Sequence, residues 1–164
     1  RISRRLPNKL RLTVRERTPI ALAPTPTLEP VDAEGYRLPI DPAEYRLDLP
    51  VIQTSLTPPR SSRLVPEDVR RLVAEVEHLM ASDTTFLQLV SSVEWDERGA
   101  VVVRWTEPSV VFLLPPRLPP ARLREGLGAL ADAVSRSPDR MPISIDLRFA
   151  DQVVVRRTPS TTGF

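Results

Sequence analysis

The sequence has no cysteine, one histidine, five glycines and few aromatics, which make up only 5% of its 164 residues. Without cysteine there are no disulfides and no thiolate metal sites. With so few aromatics, the core must be built mainly from Val, Leu and Ile, within a hydrophobic fraction of 41%. Long apolar runs are also missing. The longest is Val110 to Leu114, far short of the roughly 20 residues that span a membrane. No signal-peptide pattern is present. Neither the glycine-rich phosphate-cradling patterns nor the G-x-S-x-G nucleophile elbow occurs.

Proline is abundant instead, with 19 residues. That level predicts many short elements joined by extended connections and argues against a helical bundle. The net charge of +2 is uneven: residues 1–17 hold seven cations against Glu16, a balance of +6, which leaves −4 for the rest. A basic arm can meet phosphates or anionic lipid. Here the cations alternate with apolar positions, so a solvated strand face is the favoured reading, with no nucleic-acid partner. The chain opens on Arg1, not Met, which reads as a piece of a longer protein with any membrane anchor upstream.

The order of elements follows from periodicity. Leu10, Leu12 and Val14 alternate with Arg11, Thr13 and Arg15, the period of a half-buried strand. Thr18-Pro19 interrupts it, and Ile20 to Ala23 read as a short edge-like run. After the Pro-rich connection "APTPTLEP", Asp32 to Gly35 are shaped for a hairpin turn. Residues 53–64 read as a polar loop. A helix is predicted over 66–82, with Pro66 at its start, Glu67 and Asp68 at its positive end, and a stripe of Val69, Leu72, Val73, Val76 and Met80. Leu87 to Trp95 and Ala100 to Trp105 read as strands around the turn Asp96 to Gly99. Another strand follows at Val110 to Leu114. A second helix, about 120–136, carries Leu123, Leu127, Leu130 and Val134 on one face. "ISIDLRFADQVVVRR", residues 143–157, reads as two further strands. This pattern predicts an α+β fold with a mainly antiparallel sheet and two helices.

Nothing in the residues reads as an active site, and no metal or cofactor set is visible. His78 stands alone in mid-helix and reads as a partly exposed surface residue. Turn chemistry accounts for Asp32 and for Gly35, and Glu34 stands in the same turn without any acid–base role. Trp95 and Trp105 flank a predicted hairpin, where cross-strand packing outweighs a base-stacking platform.

Four short motifs carry a resemblance. "RRLPNKLRLTVRERTPIALA" places Pro7, Leu10, Leu12, Val14, Glu16, Pro19, Ile20 and Ala21 at the spacing of a strand ending in Val-x-Glu-x-x-Pro-Ile-Ala. "PVDAEGYRLP" supplies Val31, Asp32 and Gly35. "LPVI" spans 49–52, and "IDLRFADQVVV" spans 145–155. In this order the sequence resembles the bacterial division proteins of the FtsQ/DivIB family. The resemblance implies the last strands of a POTRA domain at 1–23, an FtsQ-type β domain at 24–157 and a flexible tail at 158–164. It implies a non-catalytic divisome scaffold, anchored in the inner membrane by a single upstream helix, with this chain on the periplasmic side at the septum. No cofactor is implied.

The implied partners are FtsB–FtsL-type proteins, recruited by strand addition to the C-terminal edge. By position, Phe149 matches a partner-contacting Tyr, and Arg148 matches a basic residue that meets an acidic partner helix. Asp151, Gln152, Val154 and Arg156 fall on the terminal strand and its turn. Arg98, in the earlier hairpin turn, lies near a second basic contact. Gln152 and Arg156 stand where the family often has small residues. The residues alone leave Phe149 open between interface and core, since Ile143, Ile145, Leu147 and Phe149 would share one strand face. A POTRA-containing module of outer-membrane assembly or secretion is the alternative function.

Overall fold

The computed structural model describes residues 2–5, 9–12, 14, 16–24, 27–55, 62–138 and 141–157. A small sheet pairs β1 (Ile2–Arg5) with β2 (Lys9–Leu12). A larger sheet holds β3 (Ala21–Pro24), β4 (Leu28–Val31), β5 (Val51–Ile52), β6 (Val90–Trp95), β7 (Val101–Trp105), β8 (Val110–Leu114), β9 (Pro142–Asp146) and β10 (Val154–Arg157). Its spatial order is β10-β9-β8-β7-β6-β5-β3-β4. The helices are α1 (Pro42–Tyr45), α2 (Glu67–Ser82), α3 (Thr84–Gln88) and α4 (Pro120–Arg136). The fold is α+β.

Register explains the layering. Ile52, Val93, Val103, Phe112, Ile145 and Val155 stand opposite one another across six strands. The first five are fully buried beneath the helices. One residue along, Glu94, Val102, Leu113, Asp146 and Val154 form the matching row on the other face, as the two-residue period requires. The two long helices carry two of the three parallel steps: β5 reaches β6 through α2 and α3, and β8 reaches β9 through α4. β3 reaches its parallel neighbour β5 through β4 and α1. A parallel pair needs a long crossover, which is usually a helix.

α2 follows its predicted stripe closely. Val69, Leu72, Val73, Val76 and Leu79 are buried, while Met80 is only partly so. α4 buries Leu123, Gly126, Leu130 and Ala133. A Cβ at Gly126 would come within 2.6 Å of Leu147 Cδ1, so the glycine lets α4 lie close over the end of β9. Asp32 to Gly35 form the expected turn. Gly35 has φ +81°, and Asp32 Oδ1 accepts from the backbone N–H groups of Glu34 (3.0 Å) and Tyr36 (2.8 Å).

Several expectations are corrected. Ile20 to Ala23 are no edge: β3 lies between β4 and β5, with Ala21 and Ala23 fully buried. A short unbroken apolar run is the mark of a strand covered on both faces, and Pro19 only ends it. The large sheet therefore begins before residue 24, at Ala21, while Lys9–Leu12 pair in the small sheet. Val14 is 82% exposed, not half-buried. The strand expected from Leu87 starts only at Val90. Asp83 caps α3 by accepting from Phe86 N–H at 2.9 Å, and the local cap overrides the apolar run. Phe86 then packs on Trp105 and Phe112, with ring centroids 4.8–5.2 Å apart. Trp95 and Trp105 do not face each other across the hairpin, because their partners are Val101 and Val90. The tail 158–164, the side chains of Leu10 and Leu12, and residues 56–61 of the polar loop lie outside the described residues.

Candidate functional site

The two ends of the large sheet are treated differently. At one end, β4 is guarded. Pro30 has no N–H to offer, and its carbonyl accepts from Leu38 N–H at 2.8 Å. Arg37 bridges to Val31, and Tyr36 bridges onward to Leu64. At the other end lies β10, paired only with β9 among the described residues.

Hydrogen-bond parity shows which groups of β10 face away from β9. Leu147 N–H donates to Leu113 O at 2.8 Å, so the odd residues at this end of β9 face β8. Ser144 and Asp146 therefore face β10, where they meet Arg156 and Val154. The N–H and C=O of Val155 point the other way, away from the sheet. Val155 also packs its side chain against the core, which fixes this orientation. The edge strand expected over Val153–Arg157 is found over Val154–Arg157, and among the described residues no strand pairs with its outer side.

The connection 147–153 joins β9 to this edge strand. Phe149, Asp151 and Gln152 are exposed, Phe149 at 45%. Core packing for Phe149 is thereby overturned. Ile145 and Leu147 are buried, but Ile143 and Phe149 are each 45% exposed. Arg122 on α4 holds the connection by donating from Nη2 to Phe149 O (2.7 Å) and Gln152 O (3.0 Å).

Arg148, which the resemblance matches to a basic residue meeting an acidic partner helix, is held by carboxylates of its own chain. Its Nε donates to Asp146 Oδ1 at 2.9 Å, Nη2 to Asp146 Oδ2 at 2.7 Å, and Nη1 to Asp96 Oδ2 at 3.3 Å. Asp146 is 1% exposed, and a carboxylate so buried requires a fork of donors. These hydrogen bonds from Arg148 hold the Asp146 carboxyl below its ordinary range, against the opposing effect of burial, and Arg156 adds to the shift. Asp146 in turn raises Arg148. The two carboxylates and one guanidinium sum to −1. Asp96 also accepts from Arg98 N–H (2.8 Å) and Ala100 N–H (2.7 Å), so the trio joins the β6–β7 turn to the β9–β10 connection.

The structure thus gathers Arg148, Phe149, Asp151, Gln152, Val154 and Arg156 at one end of the sheet, with Arg98 tied in through Asp96. Arg98 and Arg156 are exposed. Arg157 is occupied by Ser137 Oγ (2.8 Å) and Ala133 O (2.9 Å). Sequence reasoning missed Arg122, Asp146 and Asp96. The signal for Arg122 was a cation in the first turn of a helix, where the dipole disfavours it. Asp146 and Arg148 show no pattern beyond period two, which here places them on one face.

The other candidate residues are structural. His78 Nε2 lies 2.7 Å from Leu118 O. Trp95 donates to Asp68 O at 3.3 Å and lies under Arg71. Asp32 and Glu34 meet Arg17, whose guanidinium stacks 4.1 Å from the Tyr36 ring centroid. A cleft of about 730 Å³ beside these residues is lined by Arg17, Tyr36, Leu38, Ile40 and Arg63. Among the described residues no cluster of His, Asp or Glu could hold a metal ion, and no helix is long and apolar enough to cross a membrane. No protein-family model matches the chain, and no curated protein matches it.

Proposed function

We propose that this chain is a non-catalytic scaffold domain of the FtsQ type, which recruits an FtsB–FtsL-type partner by taking one of its strands onto β10. The observation that carries the reading is the contrast between the sheet's two ends: β4 is closed by Pro30 and the segment 36–38, whereas among the described residues nothing pairs with the outward N–H and C=O of Val155 on β10. An open edge is a hazard unless it has a use. An exposed Phe149 beside it gives an incoming strand an aromatic anchor of the kind that dominates binding. The reading places the chain on the periplasmic side of the inner membrane, held there by a segment upstream.

Strand addition draws on main-chain hydrogen bonds worth about 0.5–1.5 kcal/mol each, net, plus burial of one side-chain row. The test is isothermal titration of the chain with a peptide carrying the strand-forming segment of an FtsB-type partner. Micromolar or tighter binding, with slowed amide exchange at Val155, is the expected result. Binding that leaves Val155 unprotected would assign the partner to another surface.

A further inference from the structure

Arg122 is placed against its helix. α4 begins at Pro120, so Arg122 sits in its first turn, which holds no acidic residue. The positive helix end disfavours a cation there. The side chain is nevertheless only 17% exposed, with Nη1 on Glu125. Its other terminal nitrogen draws in two carbonyls three residues apart, Phe149 O at 2.7 Å and Gln152 O at 3.0 Å.

Those carbonyls belong to a seven-residue connection between the paired residues Asp146 and Val154. Residues 149–152 are all exposed, so no side-chain burial fixes this stretch. The base from which Arg122 reaches is itself fixed. Glu75 Oε2 on α2 accepts from Arg117 N–H at 2.9 Å, and His78 Nε2 lies 2.7 Å from Leu118 O. These contacts hold the turn that leads into α4. A continuous set of contacts thus runs from α2, through the start of α4, to the connection beside the open edge.

We infer that Arg122 is a positioning residue: it presets the Phe149–Gln152 connection, and with it the entry into β10, in the shape that strand addition uses. This rests on the scaffold reading above. A connection ordered in advance does not lose that conformational freedom at the moment of binding.

The test compares Arg122→Ala, Arg122→Lys and Glu125→Gln in the full chain, by amide hydrogen exchange and by titration with the FtsB-type strand peptide. In Arg122→Ala, exchange at Ala150 to Val153 is expected to quicken on the order of tenfold, while Val103 and Phe112 stay protected. Peptide affinity should fall on the order of tenfold. Arg122→Lys should recover part of both effects, because an ammonium can donate to two carbonyls. Glu125→Gln should change neither. Unchanged exchange in Arg122→Ala overturns the inference, as does a loosened connection with undiminished peptide affinity. If the wild-type chain ignores the peptide, the scaffold reading falls. Quickened exchange in Arg122→Ala would then still support the preset connection, and unchanged exchange would overturn it.

Discussion

At the scale of single residues, Arg148 is the position where geometry most revises expectation. The resemblance matches it to a cation that meets an acidic partner; here its neighbours Asp146 and Asp96 occupy it. Replacing Arg148 by Glu should therefore damage the fold. It leaves Asp146 buried and unpaired, at about 3 kcal/mol, the low end for a severed buried pair because Arg148 keeps 27% side-chain exposure. Urea melts measure this, and an unchanged midpoint would refute the pairing. Arg156→Glu should lower the midpoint much less, since Arg156 is exposed and acts on Asp146 through its charge alone. If the partner is acidic, that change should weaken its capture at low salt. Asp146 adds a pH dependence. Its carboxyl is held below the ordinary value by Arg148, so its contribution to stability is present above that value and is lost as pH falls through the depressed one. Asp146→Asn should flatten the acid limb of a stability–pH curve. Equal slopes in the two proteins would remove the ion pair from the account. None of this was legible in the sequence, because which carboxylates meet Arg148 depends on the register of β9 and on a turn some 50 residues away.

Secondary-structure elements were easier to read where one period ran without interruption. α2, α4, β7 and β8 stand within a residue of their predicted limits, because Val69 to Leu79, Leu123 to Val134 and the Val-rich hairpin each keep one pattern throughout. The reading failed where a local cap competed, at Asp83 before α3, and where an apolar run lacked alternation, at Ile20 to Ala23. The edge element carries its own prediction. Val154 directs its N–H toward β9, whereas Val155 directs its N–H outward. Proline at 155 should leave the domain folded and abolish strand addition. Proline at 154 should instead remove a ladder bond and destabilise the hairpin. Circular dichroism melts and peptide titration separate the two variants. If Val155→Pro binds normally, the partner does not pair with this edge. Within the aromatic cluster, Trp105 has a buried Nε1–H with no hydrogen-bond partner among the described residues. Trp105→Phe removes an unsatisfied donor along with some ring area, so stability should change by less than about 1 kcal/mol, against about 3–5 for a truncation to Ala.

At the scale of the whole molecule, the charge asymmetry and the two edges can be weighed together. The cations near the N-terminus accompany a separate two-stranded sheet, and Arg17, the last of them, is neutralised by Asp32 and Glu34. Fluorescence titration with duplex and single-stranded DNA at physiological salt should show at most weak binding that added salt erases. Submicromolar affinity would contradict a role confined to protein partners. The α+β class was legible in the sequence because the order of strand and helix periods sets it. The difference between the two sheet ends was not, because it depends on Leu38 returning to Pro30, a contact that no period announces. That difference fixes a valence. Among the described residues the large sheet is closed at β4 and unpaired at β10, so it can be lengthened once, at β10. Two copies meeting at β10 would form a closed pair related by a two-fold axis and could not grow into a fibre. Such a pair would occupy the same backbone groups as an incoming strand. Self-association and partner capture through β10 are therefore mutually exclusive states, and a complex made by strand addition at β10 takes one partner strand per chain.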